Sequence, residues 1–388
     1  MESTLKRAWA EIDLDALAHN YHTLRERMGP AARFMGVVKA DAYGHGAAQV
    51  SRTLEELGAE YLAVSNLDEA RELRHAGVTC PILQLGVTPA EQTPLALVNQ
   101  ITQAVWCEDA ALAFSREAVK ANGRLRVHIK LDTGMSRLGF PCGGERFGES
   151  LEAICRVCAL PGLDAEGIFT HFAVSDEPDE DSRAYTLLQR RRFEAMLQAL
   201  AQRGRTFAIR HCSNSGAVAA YPEYADDMCR PGLVTYGAGD QAQALDLRPV
   251  MTLKAVVGTV NEFGPGVSVS YGRTFRTERP SRLGVLPIGY ADGLHRSLSN
   301  RWSVWTPCGS APVVGRVCMD MCMIDLTDLP QVREGDEVEV YGPRNSVNAA
   351  AAAAGTIPYE LTCAVSKRVP RVYRRNGQEI ARELLLRG

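Results

Sequence analysis

Along the first 240 or so residues, short apolar runs alternate with amphipathic segments, and this alternation limits the fold more than any other feature of the chain. Trp9-Ala10-Glu11-Ile12-Asp13-Leu14 reads as a strand, after which Asp13 or Asp15 caps a helix through Leu17, Tyr21 and Leu24. An apolar run ending at Lys39 follows. The next runs are Tyr61 to Ser65, Pro81 to Leu85, Gln103 to Trp106, Arg126 to Leu131, Ala165 to Thr170 and Ala208 to Cys212. Helix-like pieces lie between them, among them Asn66 to His75 and Thr186 to Arg203. Strands that alternate with helices imply parallel βα units. Eight such units close a TIM-type barrel in about 250 residues, and this series ends near Tyr236. A doubly wound sheet would show the same alternation.

After Gly239 the pattern changes. Met251 to Val260, Gly266 to Ser270, Arg282 to Pro287, Trp302 to Thr306, Ala311 to Val317, Cys322 to Leu326 and Glu337 to Tyr341 read as strands separated by turn residues. Few helices intervene, which predicts an antiparallel barrel or sandwich. One helix is expected between Ser346 and Ala354, with Gly355 as its C-terminal cap. At 388 residues the chain exceeds one ordinary core. The predicted fold class is α/β: an N-terminal (β/α)8 TIM-type barrel over 1–240, then a mainly β C-terminal domain over 241–388.

Charge and composition narrow the function. A net charge of -3 with no basic cluster gives nucleic-acid binding no support. No apolar run approaches the roughly 20 residues of a membrane helix. The first residues lack the apolar stretch of a signal peptide, so the expected location is the cytoplasm. The chain has 11 cysteines, scattered and often in apolar surroundings, as small buried side chains are in a reducing compartment. Cys155 and Cys158 form a CxxC pair on a helical pattern with no second pair at zinc-finger spacing, so no metal site is expected.

The run Arg33-Phe-Met-Gly-Val-Val-Lys39 ends on one lysine, with Tyr43, Gly44 and Gly46 close behind. A lone lysine after a strand is ordinarily a solvated surface residue. Burial would lower its pKa and yield a neutral amine able to attack a carbonyl, as a lysine holding an aldehyde cofactor in a Schiff base must. The aldehyde cofactor of amino-acid chemistry is pyridoxal phosphate. Tyr43 can offer a hydroxyl to its phosphate, and the glycines let the backbone come close. Further polar residues fall after the carboxyl ends of later strands, where barrels carry their chemistry: Lys130, Arg137, His171, Asn214, Ser215 and Arg230. Singly, each has a structural explanation as a capping, paired or core residue.

From Trp9 to Tyr373 the chain resembles the two-domain alanine racemases. The resemblance is carried by Val37 to Gly46, Asp132-Thr-Gly-Met-Ser-Arg-Leu-Gly139, Thr170-His-Phe-Ala173, Ser213-Asn-Ser-Gly216 and Arg230-Pro-Gly-Leu233. It continues in Ser270-Tyr-Gly-Arg-Thr-Phe275, Gly289-Tyr-Ala-Asp-Gly293, Val317-Cys-Met-Asp320 and Pro358-Tyr-Glu-Leu361. It implies a barrel followed by a β domain, with the strand near 8–14 joining the latter.

The same resemblance implies the following roles. Lys39 carries pyridoxal phosphate and is one of two bases; Tyr271 of the partner subunit is the other, on the opposite face of the substrate. A phenol acts as a base where positive charge lowers its pKa, and Arg230 and His171 would supply that surrounding. Arg230 would bond to the pyridine nitrogen and keep it unprotonated, a weaker electron sink that discourages side reactions. Tyr43, Ser215, Tyr359 and the Gly232 amide would hold the phosphate, with His171 and Asn214 also beside the cofactor. Arg137 and the Met319 backbone would meet the substrate carboxylate, and Tyr290, Asp320 and Tyr359 would shape a tight entrance. Lys130 is expected to carry a carbamate that braces Arg137.

Two facing bases from two subunits imply a homodimer, each site lying where one barrel mouth meets the partner's β domain. The implied substrate is alanine and the implied product D-alanine for peptidoglycan. The alternatives are a racemase for serine or a broader set of amino acids, a decarboxylase of similar architecture, or a non-catalytic pyridoxal-phosphate-binding protein. Gly237 to Asp246 departs from the family's usual connection, which bears on hinge geometry and subunit packing.

Overall fold

The structure, a computed structural model, describes residues 7–384. They form two compact units. One comprises Tyr21–Ala42 and Ala47–Thr235; the other gathers the described residues up to Asn20, the short piece Tyr43–Gly46, and those from Tyr236 onward.

In the first unit, eight parallel strands follow one another in the order Met228–Cys229, Arg33–Val37, Tyr61–Val64, Ile82–Gln84, Ile101–Val105, Leu125–Asp132, Leu163–Phe169 and Ile209–His211. The two ends of this order also meet: Asp227 N donates to Arg210 O (3.1 Å) and Arg230 N to Ser213 O (2.9 Å). The result is a nearly closed (β/α)8 barrel, the fold that the alternation predicts. Its strands are buried on both faces, so Tyr61–Val64 and Ile101–Val105 have no exposed position. Helix starts follow local chemistry. The Asn66 side chain accepts from Glu69 N and opens Leu67–His75; Asp179 accepts from Ser182 N and opens Glu180–Gln202, earlier than the apolar periodicity indicates. The CxxC pair lies on the helix Arg146–Val157, with Cys158 at its C-cap. Burial pushes the Cys158 thiol up to about 11, which disfavours the reactive thiolate.

In the second unit, Ala8–Asp13 runs antiparallel to Met251–Val256 on one side and parallel to Arg371–Arg375 on the other. Glu337–Tyr341, Ser303–Thr306, Gly309–Pro312 and Gln378–Glu383 complete a seven-stranded sheet. Thr259–Phe263, Ser281–Leu286 and Cys322–Asp325 form a second sheet. The single strand expected from Met251 to Val260 is thus two strands belonging to different sheets. The chain leaves the first at Val256, and Gly258 N bonds to Val285 O on the second (2.8 Å). Val347–Ala354 is a helix closed by Gly355 in the left-handed region, φ 73°.

Two joints tie this unit together. Arg7 donates twice to the buried carboxylate of Asp292 (2.8 and 2.7 Å), which also accepts from Gly289 N (3.0 Å) and so shapes the Gly289–Gly293 turn. Gly44 and Gly46 form the other, at φ +83° and +91°. A Cβ on Gly44 would collide with the Thr362 carbonyl, and one on Gly46 with the Tyr373 hydroxyl. Arg371, buried, donates to Gly44 O (3.0 Å). The close approach that these glycines permit is therefore to protein, a correction to the expectation of a ligand phosphate. Gly46→Ala is expected to lower stability by ~2 kcal/mol or more, from strain at positive φ plus overlap with Tyr373. The check is the urea unfolding midpoint.

Candidate active site

Lys39 does not close a strand, as the sequence suggests; it opens a left-handed helical turn. The strand ends at Val37, and Ala40, Asp41, Ala42 and Tyr43 all have φ between 52° and 56°. Left-handed turns cost L-residues roughly 1–2 kcal/mol each, so four in a row persist only where the surroundings hold them. Hydrogen bonds to several parts of the unit help to do so. Ala42 N donates to Val38 O (2.9 Å), Ala40 N to Glu69 Oε1 (2.8 Å), and Asp41 Oδ1 accepts from Ala47 N (2.8 Å). Glu69 in turn accepts from Ser65 N at the end of the neighbouring strand (2.7 Å), so the turn is anchored to the barrel sheet.

The barrel unit brings Lys39 together with three other cations at the carboxyl ends of its strands. Lys130 is 6% exposed, and its ammonium lies 5.6 Å from the centre of the Phe169 ring. Burial, then the charges of Arg137 and Arg230, with a smaller push from Lys39, pull the Lys130 amine down to about 8; Asp132 works the other way. Arg137 is exposed, on a loop that Asp132 shapes by accepting from Gly134 N and Ser136 N (3.0 Å each).

Arg230 is the buried centre of this group, 3% exposed. Its Nη2 donates to Thr170 O (2.7 Å) and Cys212 O (3.0 Å) and lies 3.3 Å from His171 Nδ1. Its Nη1 donates to His211 Nδ1 (2.8 Å), and its guanidinium faces the Phe169 ring. Nε and one Nη1 hydrogen have no hydrogen-bond partner among the described residues, so this cation has donors to spare. Burial pulls it down to about 10, and it remains protonated at neutral pH. Burial and the neighbouring cations, Arg230 first, hold His171 well below the ordinary imidazole range, hence neutral.

Ser215 and Gly232 are joined directly, Gly232 N donating to Ser215 Oγ (2.9 Å), which leaves the half-buried serine its own hydrogen to donate. The Asn214 carboxamide is engaged as a cap: its oxygen accepts from Ala217 N (3.0 Å) and Ser175 Oγ (2.7 Å).

The β unit gathers the remaining predicted residues in three places. The Tyr43 and Tyr359 rings meet with centroids 5.6 Å apart. Tyr290 N donates to Cys318 O and Ala291 N to Met319 O (3.0 Å each), which fixes Tyr290 beside the Met319–Asp320 turn; Asp320 accepts from Arg368 (2.8 Å). Tyr271 stands 72% exposed on a tightly determined turn, between Ser270 (φ 63°) and Gly272 (φ 70°), with Ser270 Oγ donating to Arg316 O (2.6 Å). Beside it runs a groove lined by Phe263, Val269, Leu283 and Met323. An aromatic held outward on strained backbone is not accounted for by its own packing.

Sequence reasoning passed over Phe169, His128, His211 and Glu166. The available signal was strand parity: His128 and Lys130 are two apart on one strand and share a face.

A parallel barrel with clustered cations at its strand ends defines a barrel enzyme built for an anionic ligand. Comparison with known proteins makes this specific. Residues 12–240 match the family model "Alanine racemase, N-terminal domain" and 250–373 match "Alanine racemase, C-terminal domain". The alanine racemase of Desulfovibrio desulfuricans is 44% identical over 378 residues, covering 96% of this chain and 100% of that protein. Alanine racemase 1 of Clostridium acetobutylicum is 43% identical over 385 residues, covering 97% of each. The structure of the alanine racemase of Clostridium difficile 630 superposes with a TM-score of 0.94 at 36% identity, over 99% of this chain and 100% of that one. The chain belongs to the alanine racemase family and is an isomerase. No helix among the described residues is long and apolar enough to cross a membrane.

The site's charge has a measurable consequence. As a plain amine, Lys130 titrates lower in the folded state (about 8) than unfolded (10.5), so the unfolded chain binds more protons between those values. Stability should therefore rise as pH increases from about 8 towards 10, with the penalty fully present below 8. In buffer stripped of carbon dioxide, calorimetry should show this slope in the wild type and its loss in Lys130→Met.

Proposed function

We propose that this enzyme interconverts L- and D-alanine with pyridoxal 5'-phosphate as cofactor, supplying D-alanine for peptidoglycan. Family membership supports the reaction. The observation that carries the cofactor assignment is the site's unbalanced positive charge: buried Lys130 feels Arg137, Arg230 and Lys39, with Asp132 acting against them. Such a set fits an anionic group with a ring acceptor for the spare hydrogens of Arg230. Bound there, pyridoxal phosphate supplies an electron sink that makes the α-hydrogen of an amino acid acidic.

The chain's own residues would do the rest. Lys39 would hold the cofactor's aldehyde carbon and, once released, move a proton at the substrate Cα. Arg230, fixed as a cation, would give a hydrogen to the ring nitrogen without surrendering it. Ser215, Tyr43, Tyr359 and the Gly232 amide would take the phosphate oxygens, with His171 and Asn214 nearby. Arg137 and the Met319 backbone would orient the substrate carboxylate, and Tyr290, Asp320 and Tyr359 would limit the side chain to alanine's size.

Tyr271 of the partner subunit would serve the opposite face, because racemisation removes a proton from one side and returns one on the other. Its exposure and the apolar groove beside it support a homodimer. Lys130 would be carbamylated. With its amine drawn down to about 8, a useful fraction is neutral at pH 7 and can add to carbon dioxide with loss of one proton. The product is an anion that attracts Arg137 where the ammonium repels it.

The decisive test is exchange of the alanine α-hydrogen in deuterated water, started from each enantiomer. Tyr271→Phe should lose exchange from one enantiomer by roughly 10²–10⁴-fold and keep it from the other. Full exchange from both would overturn the two-base assignment. Borohydride should join the cofactor covalently to the wild-type chain and leave Lys39→Ala unlabelled. Intact-mass measurement under gentle conditions should find the carbon dioxide adduct in wild type and none in Lys130→Met.

A further inference from the structure

Inside the barrel a polar chain leads away from Arg230 and has no part in the roles above. A guanidinium has donors and no acceptor, so where Arg230 Nη1 meets His211 Nδ1 at 2.8 Å, that nitrogen must be the acceptor. His211 then carries its hydrogen on Nε2, which lies 2.8 Å from His128 Nδ1. His128 Nδ1 must in turn accept, which puts the His128 hydrogen on Nε2. That nitrogen has no partner within normal hydrogen-bond distance among the described residues; the nearest acceptor is Glu166 Oε1, at 3.4 Å. Every donor along the path points the same way, from cation to carboxylate.

The surroundings are built to hold this path. His128 and His211 are both fully buried. The Phe169 ring stacks on His211 with centroids 4.7 Å apart and planes 6° from parallel. Glu166 is the extra residue of a β-bulge, since Val127 pairs with Ala165 and His128 with Gly167. Position 167 has to be glycine, because a Cβ there would stand 2.6 Å from the His128 ring. Tyr61 and Thr102 donate to the same Glu166 oxygen (3.1 Å each). The direct partners of Arg230 are all neutral; the charge of Asp226 acts on it from farther off, and Glu166 stands at the far end of the path through the histidines. Burial works to raise the Glu166 carboxyl, but the nearby His128, the charge of Arg126 and the Thr102 hydroxyl outweigh that and hold it below the ordinary carboxylate range.

We propose that Glu166, His128 and His211 are positioning residues for Arg230: two one-way hydrogen bonds, closed by the His128–Glu166 contact, fix both imidazoles as neutral Nε2–H tautomers and hold the guanidinium on its ligand. The ligand in this statement is the one read in the proposed function. The relay touches neither substrate nor reacting atoms and acts through the orientation of Arg230.

The test is ¹⁵N NMR of the holoenzyme labelled at histidine, tractable because the chain has 8 histidines. His128→Gln and His211→Gln assign the two rings. In wild type both should show a protonated Nε2 and a bare, hydrogen-bonded Nδ1. An Nδ1–H tautomer or an imidazolium at either ring would overturn the proposal. In Glu166→Gln the change should pass along the path, shifting His211 as well as His128. The kcat for alanine should fall ~10-fold while KM stays within about two-fold. A shift confined to His128 would mean local packing only and would also overturn it. Should Glu166→Gln fail to fold, the wild-type tautomers still decide. Failure of the wild type to racemise alanine would sink the functional reading alone, because the tautomers are observed without turnover.

Discussion

A buried guanidinium is the constraint around which the barrel unit is arranged. Arg230 lies almost wholly out of water, and the desolvation of a full charge is offset only by well-made hydrogen bonds. Two backbone carbonyls, two imidazoles and an aromatic face answer that requirement, and none brings a negative charge into contact with it. A contacting carboxylate would have neutralised the site. Neutral partners instead leave its positive character available to a ligand, while His128 and His211 connect it to Glu166 farther along the barrel interior.

The same logic accounts for the neighbouring cations. Lys130 sits over Phe169, the ring that Arg230 also faces and on which His211 stacks, so one aromatic side chain organises three polar groups. Burial first, and then the crowding of like charges, draws the Lys130 amine toward neutrality and keeps His171 uncharged. The left-handed turn that begins at Lys39 is the backbone counterpart of this arrangement. It is an expensive local conformation, held by Glu69 and Asp41 through the amides of Ala40 and Ala47. Strain there and charge crowding at Lys130 both lower stability locally, as is common where a fold carries its chemistry.

Much of the architecture is written in short-range patterns. The alternation of apolar runs is enough for parallel βα units, and the caps at Asn66 and Gly355 mark helix ends through their own side-chain or backbone chemistry. Other elements carry weaker patterns. Arg371–Arg375 and Gln378–Glu383 are rich in charge, and the second has no buried position, so no apolar alternation betrays them; Ala8–Asp13 supplies a partner to the first, which in turn supplies one to the second. Pro358–Cys363 is too short for a helical period to show. Strand parity could have paired His128 with Lys130, but nothing local says that Glu166 occupies a bulge.

The sequence by itself determined the two-part α/β and β organisation and the family, and singled out Lys39 as a candidate. Periodicity, turn residues and contiguous motifs are local properties that survive without coordinates. Only the tertiary structure decided that Gly44 and Gly46 make room for Thr362 and Tyr373, that four residues after Lys39 wind left-handed, and that Arg230 reaches Glu166 through two histidines. Each of these depends on atoms far apart in the chain meeting within a few ångströms. Steric exclusion and hydrogen-bond direction come into being only when the strands have closed on one another.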